Sequence, residues 1–180
     1  MAKTPKSTTP DRWGQRVVFL KSGIPVRRVP VSLSRRFYQI CMAVAGEVAA
    51  EEALTPLEFG VLTYLYDEPD IDQKALTARL GVDRSNTTIL VDQLEEKRLV
   101  ERRVNADDRR ARLLRLTPGG VKVRDRLRPK AGLAQARILA PLTSADRERF
   151  LDMLVQIVEA NEIYARPGAS RRKPGSRNAP

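Results

Sequence analysis

Apolar positions along this chain recur mostly at spacings of three and four, which is the signature of helices with one buried face. Leu33, Phe37, Ile40, Val44 and Val48 form the first such stripe, widened by Cys41 and Ala45. It predicts a helix capped at Ser32 and running to about Ala53. The run "TPLE" at 55–58 then places a capping Thr55, Pro56 at the first helical position and Glu58 three residues after the cap. That is a capping box with a proline whose missing N–H does no harm. Leu57, Val61, Leu62 and Leu65 supply the buried face of this second helix, which ends before the turn "DEPD". A short third helix follows Asp72, with Leu76 and Leu80 inward and Gly81 at a stop that favours positive φ. Asp83 caps a fourth, from about Arg84 to Lys97, with Leu90, Val91 and Leu94 inward.

The period then changes from near four to two. "LVERRVNADDRRARLLRLT" reads as two strands, about 99–104 and 111–116, joined by a polar tip. "TPGG" opens another helix, in which Pro129 should cause a kink. Thr143 with Asp146 caps a last helix that carries Phe150, Leu151, Leu154, Ile157 and Val158 to about Tyr164. The fold class is therefore mainly α with a small β-hairpin wing: a winged helix-turn-helix domain, about 54–117, between helical stripes that themselves need a partner surface.

Charge is segregated. The 180-residue chain carries net +11, but residues 1–36 hold +8, residues 37–73 hold −8 without a single Lys or Arg, and residues 74–130 hold +8. A basic block inside the folded part, with basic ends, has the distribution of a nucleic-acid footprint. The plain alternative is a solvated surface with basic tails. Residues 1–30 read as a basic N-terminal arm, partly disordered, and 166–180 as a disordered basic tail: 1–10 and 166–180 lack the apolar content needed to offset ordering entropy, whereas 11–30 carry apolar residues punctuated by Gly and Pro and are expected to pack on something, a partner subunit being one option.

Several classes are excluded. No apolar run approaches the length of a membrane span, and no secretory signal is expected, which points to the cytoplasm. The single cysteine permits no internal disulfide. Histidine is absent, so Ser-His-Asp and Cys-His catalysis is excluded and a zinc site is disfavoured. There is no glycine-rich phosphate loop. Neither an enzyme nor a cofactor is expected. Aromatics are few and not interleaved with the basic block, which disfavours an RNA-binding module.

In a helix-turn-helix the second helix enters the DNA major groove. Its outward positions here are Arg84, Ser85, Asn86, Thr88, Ile89 and Gln93. Arg84 suits a guanine edge, Asn86 an adenine edge, and Thr88 or Ile89 a thymine methyl. Backbone N–H groups at the helix start would add a phosphate site. The competing reading is an ordinary surface helix, though such a face usually carries more Glu and Lys.

The stretch "LTPLEFGVLTYL … IDQKALTARLGVDRSNTTILVDQLEEKRLVERRVNADDRRARLLRLTPGG" resembles the MarR family of winged-helix transcriptional regulators. The likeness covers about 33–160 and is most specific across 54–120, ending in the Asp-Arg-rich wing and "LTP-x-G". It implies a MarR-like domain over 31–165, with dimerisation helices at about 31–53 and 118–165. It also implies a homodimer on a palindromic operator in double-stranded DNA, acting as a repressor released by a small, aromatic-acid or acyl-CoA effector. In the wing, Asp108 matches an aspartate that braces the loop and Arg110 an arginine that enters the minor groove, with Arg109 and Arg112 as phosphate or strand-face residues. One departure is Ile89, where the family often has a basic residue; it hints at more hydrophobic, thymine-directed readout.

For an effector, Trp13, Arg35, Arg36, Tyr38, Cys41 and Tyr64 are the candidate ligand-binding residues, able to offer aromatic walls and cations. The competing reading is core or interface packing. Two alternatives stay open: a constitutive or architectural DNA-binding protein without an effector, and an oxidation sensor acting through Cys41.

Overall fold

A computed structural model describes residues 29–105 and 112–165. Most of the basic arm, the wing tip and the basic tail lie outside the described residues. The chain divides into two compact units, Met1–Val44 and Ala45–Pro180.

Helix α1 spans Pro30–Ala49. It starts three residues earlier than the Ser32 cap predicts: Pro30 already has the φ a helix needs, and the N–H groups of Ser32 and Leu33 donate to the Val29 carbonyl at 3.1 and 3.0 Å. In the first unit Val31, Leu33, Tyr38 and Ile40 are between 50% and 76% exposed, while Phe37, Cys41 and Val44 of the predicted stripe are half-buried.

The second unit holds the core. A 3-10 turn over Ala50–Glu52 ends at Ala53, which sits in the left-handed region at φ 53°. Helix α2, Pro56–Asp67, has the predicted capping box at Thr55 and Glu58. Helix α3, Gln73–Leu80, is capped by Asp72 and stopped by Gly81 at φ 65°. Helix α4, Arg84–Glu96, is capped by Asp83. Leu62, Leu65, Leu76, Val91 and Leu94 from these three helices are at most 1% exposed and make one core with Leu114 and Leu127.

The sheet has three strands rather than the two predicted. Strands β2 (Val100–Val104) and β3 (Arg112–Leu116) form the antiparallel hairpin, with Arg102 opposite Leu114. Strand β1 is only Ile71–Asp72 and pairs with the other edge of β3, Ile71 opposite Leu114. Two residues carry too little periodicity to announce a strand; only the tertiary pairing defines it.

Helix α5, Pro118–Ile138, is capped by Thr117 and is continuous through Pro129. Its first turn is pressed against the α4–β2 turn. The Thr117 hydroxyl donates to the Arg98 carbonyl at 2.7 Å, and a Cβ on Gly120 would fall inside the Leu99 carbonyl oxygen. The second glycine of "TPGG" is therefore a packing requirement. Helix α6, Ser144–Ala160, has no buried residue, and a short α7 covers Glu162–Ala165. The single last helix expected to Tyr164 is thus broken at Asn161, whose side-chain amide donates to the Ile157 carbonyl at 2.8 Å.

Candidate DNA-binding interface

The two helices of the helix-turn-helix are fixed to each other by threonine chemistry as well as by leucines. The Thr77 hydroxyl donates to the Thr87 hydroxyl at 3.1 Å, and Thr87 in turn donates to the Asp83 carbonyl at 3.1 Å. Thr87 is fully buried, a polar core position that the apolar pattern could not reveal. Gln73 Nε2 donates to the Thr88 hydroxyl at 2.6 Å.

These bonds leave one face of α4 outward. Arg84, Ser85, Asn86 and Gln93 are exposed, Ile89 is 53% exposed and Thr88 is half-buried. All six predicted groove-facing residues thus share the open side of the helix. Some of their polar groups are already engaged. Asn86 Nδ2 donates to Asp83 at 3.0 Å, and the Thr88 hydroxyl donates to the Arg84 carbonyl at 3.0 Å. The cap carboxylate also accepts the Asn86 backbone N–H at 2.9 Å, so Asp83 occupies part of the phosphate site expected at the helix start.

The wing is tied to this helix by Arg102. Its guanidinium pairs with Asp92 at 2.6 Å and with Glu95, and its backbone N–H donates to Glu95 at 3.0 Å. The acids three apart on α4 are neighbours on one helical face, a spacing visible in the sequence, but their strand partner is not. At the far edge of the sheet Arg115 Nε donates to Asp70 at 2.9 Å; this hydrogen bond holds the Asp70 carboxyl below the usual carboxylate range. Arg103 pairs with Glu101 at 2.6 Å. Arg112 stands exposed at the tip end of β3. Asp108, Arg109 and Arg110 lie outside the described residues.

The C-terminal end of α4 is anchored to α2. Lys97 Nζ donates to Glu58 at 2.7 Å and to the Ala53 carbonyl at 2.8 Å. Burial alone would push the Glu58 carboxyl up, yet hydrogen bonds from Lys97 and Thr55 bring it below its ordinary value. Buried Arg124 joins α5 to α2 by stacking 3.7 Å over the Tyr66 ring.

Of the candidate effector residues, Arg35, Arg36 and Tyr38 are exposed and Cys41 is half-buried in the first unit, while Tyr64 is 38% exposed in the second; Trp13 lies outside the described residues. Burial pushes the Cys41 thiol up, which opposes the thiolate a redox sensor needs. Sequence reasoning did not point to a cleft of about 270 Å³ between Glu47, Val48 and Glu51 on one side and Lys130, Leu133, Ala134 and Arg137 on the other. It is bridged by the ion pairs Lys130–Glu51 and Arg137–Glu47.

Helix, turn, exposed second helix and wing define a winged helix-turn-helix DNA-binding protein. Residues 54–111 match the MarR family. A putative transcriptional regulatory protein for the hcr operon of Thauera aromatica is 30% identical over 135 residues, 75% of this chain and 77% of that protein. Among solved structures, the PcaV transcriptional regulator of Streptomyces coelicolor in complex with its natural ligand aligns with TM-score 0.69 and 30% identity, covering 76% of this chain and 96% of that one. A mutant MarR from E. coli complexed with operator DNA aligns with TM-score 0.66 and 26% identity, covering 71% and 91%. The chain belongs to the MarR family of transcriptional regulators. Those relatives regulate transcription and are not enzymes. Among the described residues no helix is long and apolar enough to cross a membrane.

Proposed function

We propose that this protein is a homodimeric, sequence-specific regulator that grips a palindromic operator with α4 and the β2–β3 wing, and that it acts as a repressor released by a small organic acid. The observation that carries the DNA reading is the outward face of α4, held by Gln73, Thr77 and Arg102 without any of its six groove residues being buried. By the same reading Asp108 orients Arg110 into the minor groove, and Arg109 and Arg112 meet phosphates. Dimerisation is supported by the uncovered apolar residues of α1 and of α6, where Val155, Ile157 and Val158 are 53–60% exposed. Such faces are far more apolar than a solvated helix requires. The dimerisation segments are 31–53 and 118–165, on either side of the winged helix-turn-helix at 54–117.

The effector reading draws support from the similarity to a regulator bound to its natural ligand. Arg35, Arg36, Tyr38, Cys41, Tyr64 and Trp13 remain its proposed contacts. Lys130 and Arg137 offer a second place for a carboxylate, which would compete with Glu51 and Glu47 for them.

The test is a gel shift with the gene's own upstream DNA, repeated over aromatic acids, their coenzyme A thioesters and peroxide. We expect a shift at low salt that an aromatic acid or thioester releases. No shift would overturn autoregulation. A shift indifferent to every compound would favour a constitutive DNA-binding protein, and release by peroxide alone, lost in Cys41→Ser, the oxidation sensor.

A further inference from the structure

On the outward face of α4 the polar groups of Asn86 and Thr88 are engaged by the protein, while Ile89 is left open. The Thr88 hydroxyl has both a donor bond to the Arg84 carbonyl and an acceptor bond from Gln73, which leaves its methyl as the unengaged part of the side chain. The Asn86 carboxamide is held by the Asp83 cap. The Thr87 hydroxyl is spent on Asp83 and Thr77 in the interior. Beside them Ile89 stands 53% exposed, outside the apolar core that the other large aliphatics of α4 enter. Only one major-groove feature of a base pair is apolar, the C5-methyl of thymine.

We propose, resting on the DNA-binding reading above, that Ile89 and Thr88 of α4 read thymine methyl groups of the operator. Ile89 makes the methyl contact. Gln73, one helix back and donating to the Thr88 hydroxyl, is a positioning residue that turns the Thr88 methyl toward a neighbouring thymine. Without Gln73 the Thr88 hydroxyl regains freedom to seek a polar base edge, so the substitution alters what is read rather than how firmly DNA is held.

The experiment starts by selecting operators from a randomised duplex pool with the full-length protein. Each thymine of the half-site is then replaced singly by deoxyuridine, which removes the methyl and leaves the hydrogen-bonding edges intact. Burying a methyl-sized group is worth about 0.8 kcal/mol, or about fourfold in affinity. We expect wild-type protein to show that fourfold thymine-to-uracil penalty at one or two adjacent positions. In Ile89→Ala the penalty ratio should fall to about one at one of them, and in Gln73→Ala it should shrink at the other. A merely structural role would weaken binding to both duplexes alike and leave the ratio unchanged, which would overturn the assignment of that residue. Wild-type affinity indifferent to uracil at every position overturns the proposal while the DNA-binding reading stands. A pool from which no sequence is enriched overturns the sequence-specific reading itself and this proposal with it.

Discussion

Lys97 should matter more to stability than the carboxylate it pairs with. Glu58 has a side chain only 3% exposed, whereas Lys97 is 37% exposed. Remove Glu58, and the ammonium can turn into water. Remove the ammonium, and the carboxylate stays buried with Thr55 as its remaining hydrogen-bond partner, the backbone N–H 2.7 Å away. Glu58→Gln keeps an oxygen for that N–H, so the capping box survives and the loss is one charge-assisted bond, about 1 kcal/mol after allowance for the exposed lysine. Lys97→Met keeps the aliphatic stem but strands a buried charge. The cost of breaking a fully buried pair is roughly 3–5 kcal/mol, and partial solvent access at the lysine end brings this to about 2 kcal/mol.

The costs of the two variants should also fade on acidification over different pH ranges, that of Lys97→Met at higher pH than that of Glu58→Gln. In the wild type the folded-state pKa of Glu58 lies below its ordinary value of 4.5. The pair therefore contributes stability that is fully present above that value and is lost as pH falls through the lower, folded one. In Lys97→Met burial is no longer offset by the lysine, so the folded-state pKa moves up. The penalty is then greatest near neutrality and shrinks as the stranded carboxyl takes a proton on acidification. Urea denaturation followed by far-UV circular dichroism at pH 7 and pH 5, with protomer concentration fixed, measures both effects. A cost for Glu58→Gln equal to or above that of Lys97→Met, or a Lys97→Met cost independent of pH, would refute the reasoning.

Other expectations are as direct. Gly120→Ala should destabilise by about 2 kcal/mol or more in the same urea assay, because its Cβ meets the rigid Leu99 carbonyl, while Gly119→Ala, with nothing nearer than 3.4 Å, should cost far less. Arg102→Ala frees the carboxylates of Asp92 and Glu95 beside α4, and fluorescence anisotropy should show operator affinity falling about tenfold with little change in urea midpoint. Arg110→Ala should weaken operator binding strongly without unfolding, and Asp108→Ala should resemble it more mildly; tighter binding by Asp108→Ala would mean simple repulsion. Ile157→Asp on the uncovered face of α6 should shift sedimentation toward the monomer, and an unchanged sedimentation coefficient would remove that helix from the dimer interface.

What the sequence disclosed was whatever its own neighbourhood determines. Thr55, Asp72, Asp83, Thr117 and Thr143 all cap helices as read, because a cap bonds an amide three residues away. Gly81 likewise declares itself by local φ. The outward face of α4 was legible because the inward Leu90, Val91 and Leu94 fix the helix phase. What escaped depends on residues distant in the chain: β1, defined by Leu114 forty-three positions on; buried Thr87, defined by Thr77; Arg102, which the basic wing pattern would assign to DNA but which is committed to two acids of α4. Gln73 belongs to the same group, since nothing before the fold forms places it against Thr88, fifteen residues along.

The same distinction resolves the charge pattern. Segment 37–73, with net −8 and no cation, looks at first like an obstacle to a DNA-binding surface. In the folded second unit its carboxylates are matched by cations from later in the chain: Glu47 by Arg137, Glu51 by Lys130, Glu52 by Arg126, Glu58 by Lys97, Glu68 by Arg79 and Asp70 by Arg115. Most of these pairs are exposed and each adds little stability. Their consequence is for the field. Cations neutralised by a carboxylate within ion-pair distance release few counterions on meeting DNA, so the count of 33 Lys and Arg overstates the electrostatic footprint. None of the six paired cations belongs to the outward face of α4, where Arg84 is the one cation among six residues. On the proposed reading, attraction to DNA is left to that helix start, the wing and the basic ends, and the middle of α4 discriminates by contacts that carry no charge.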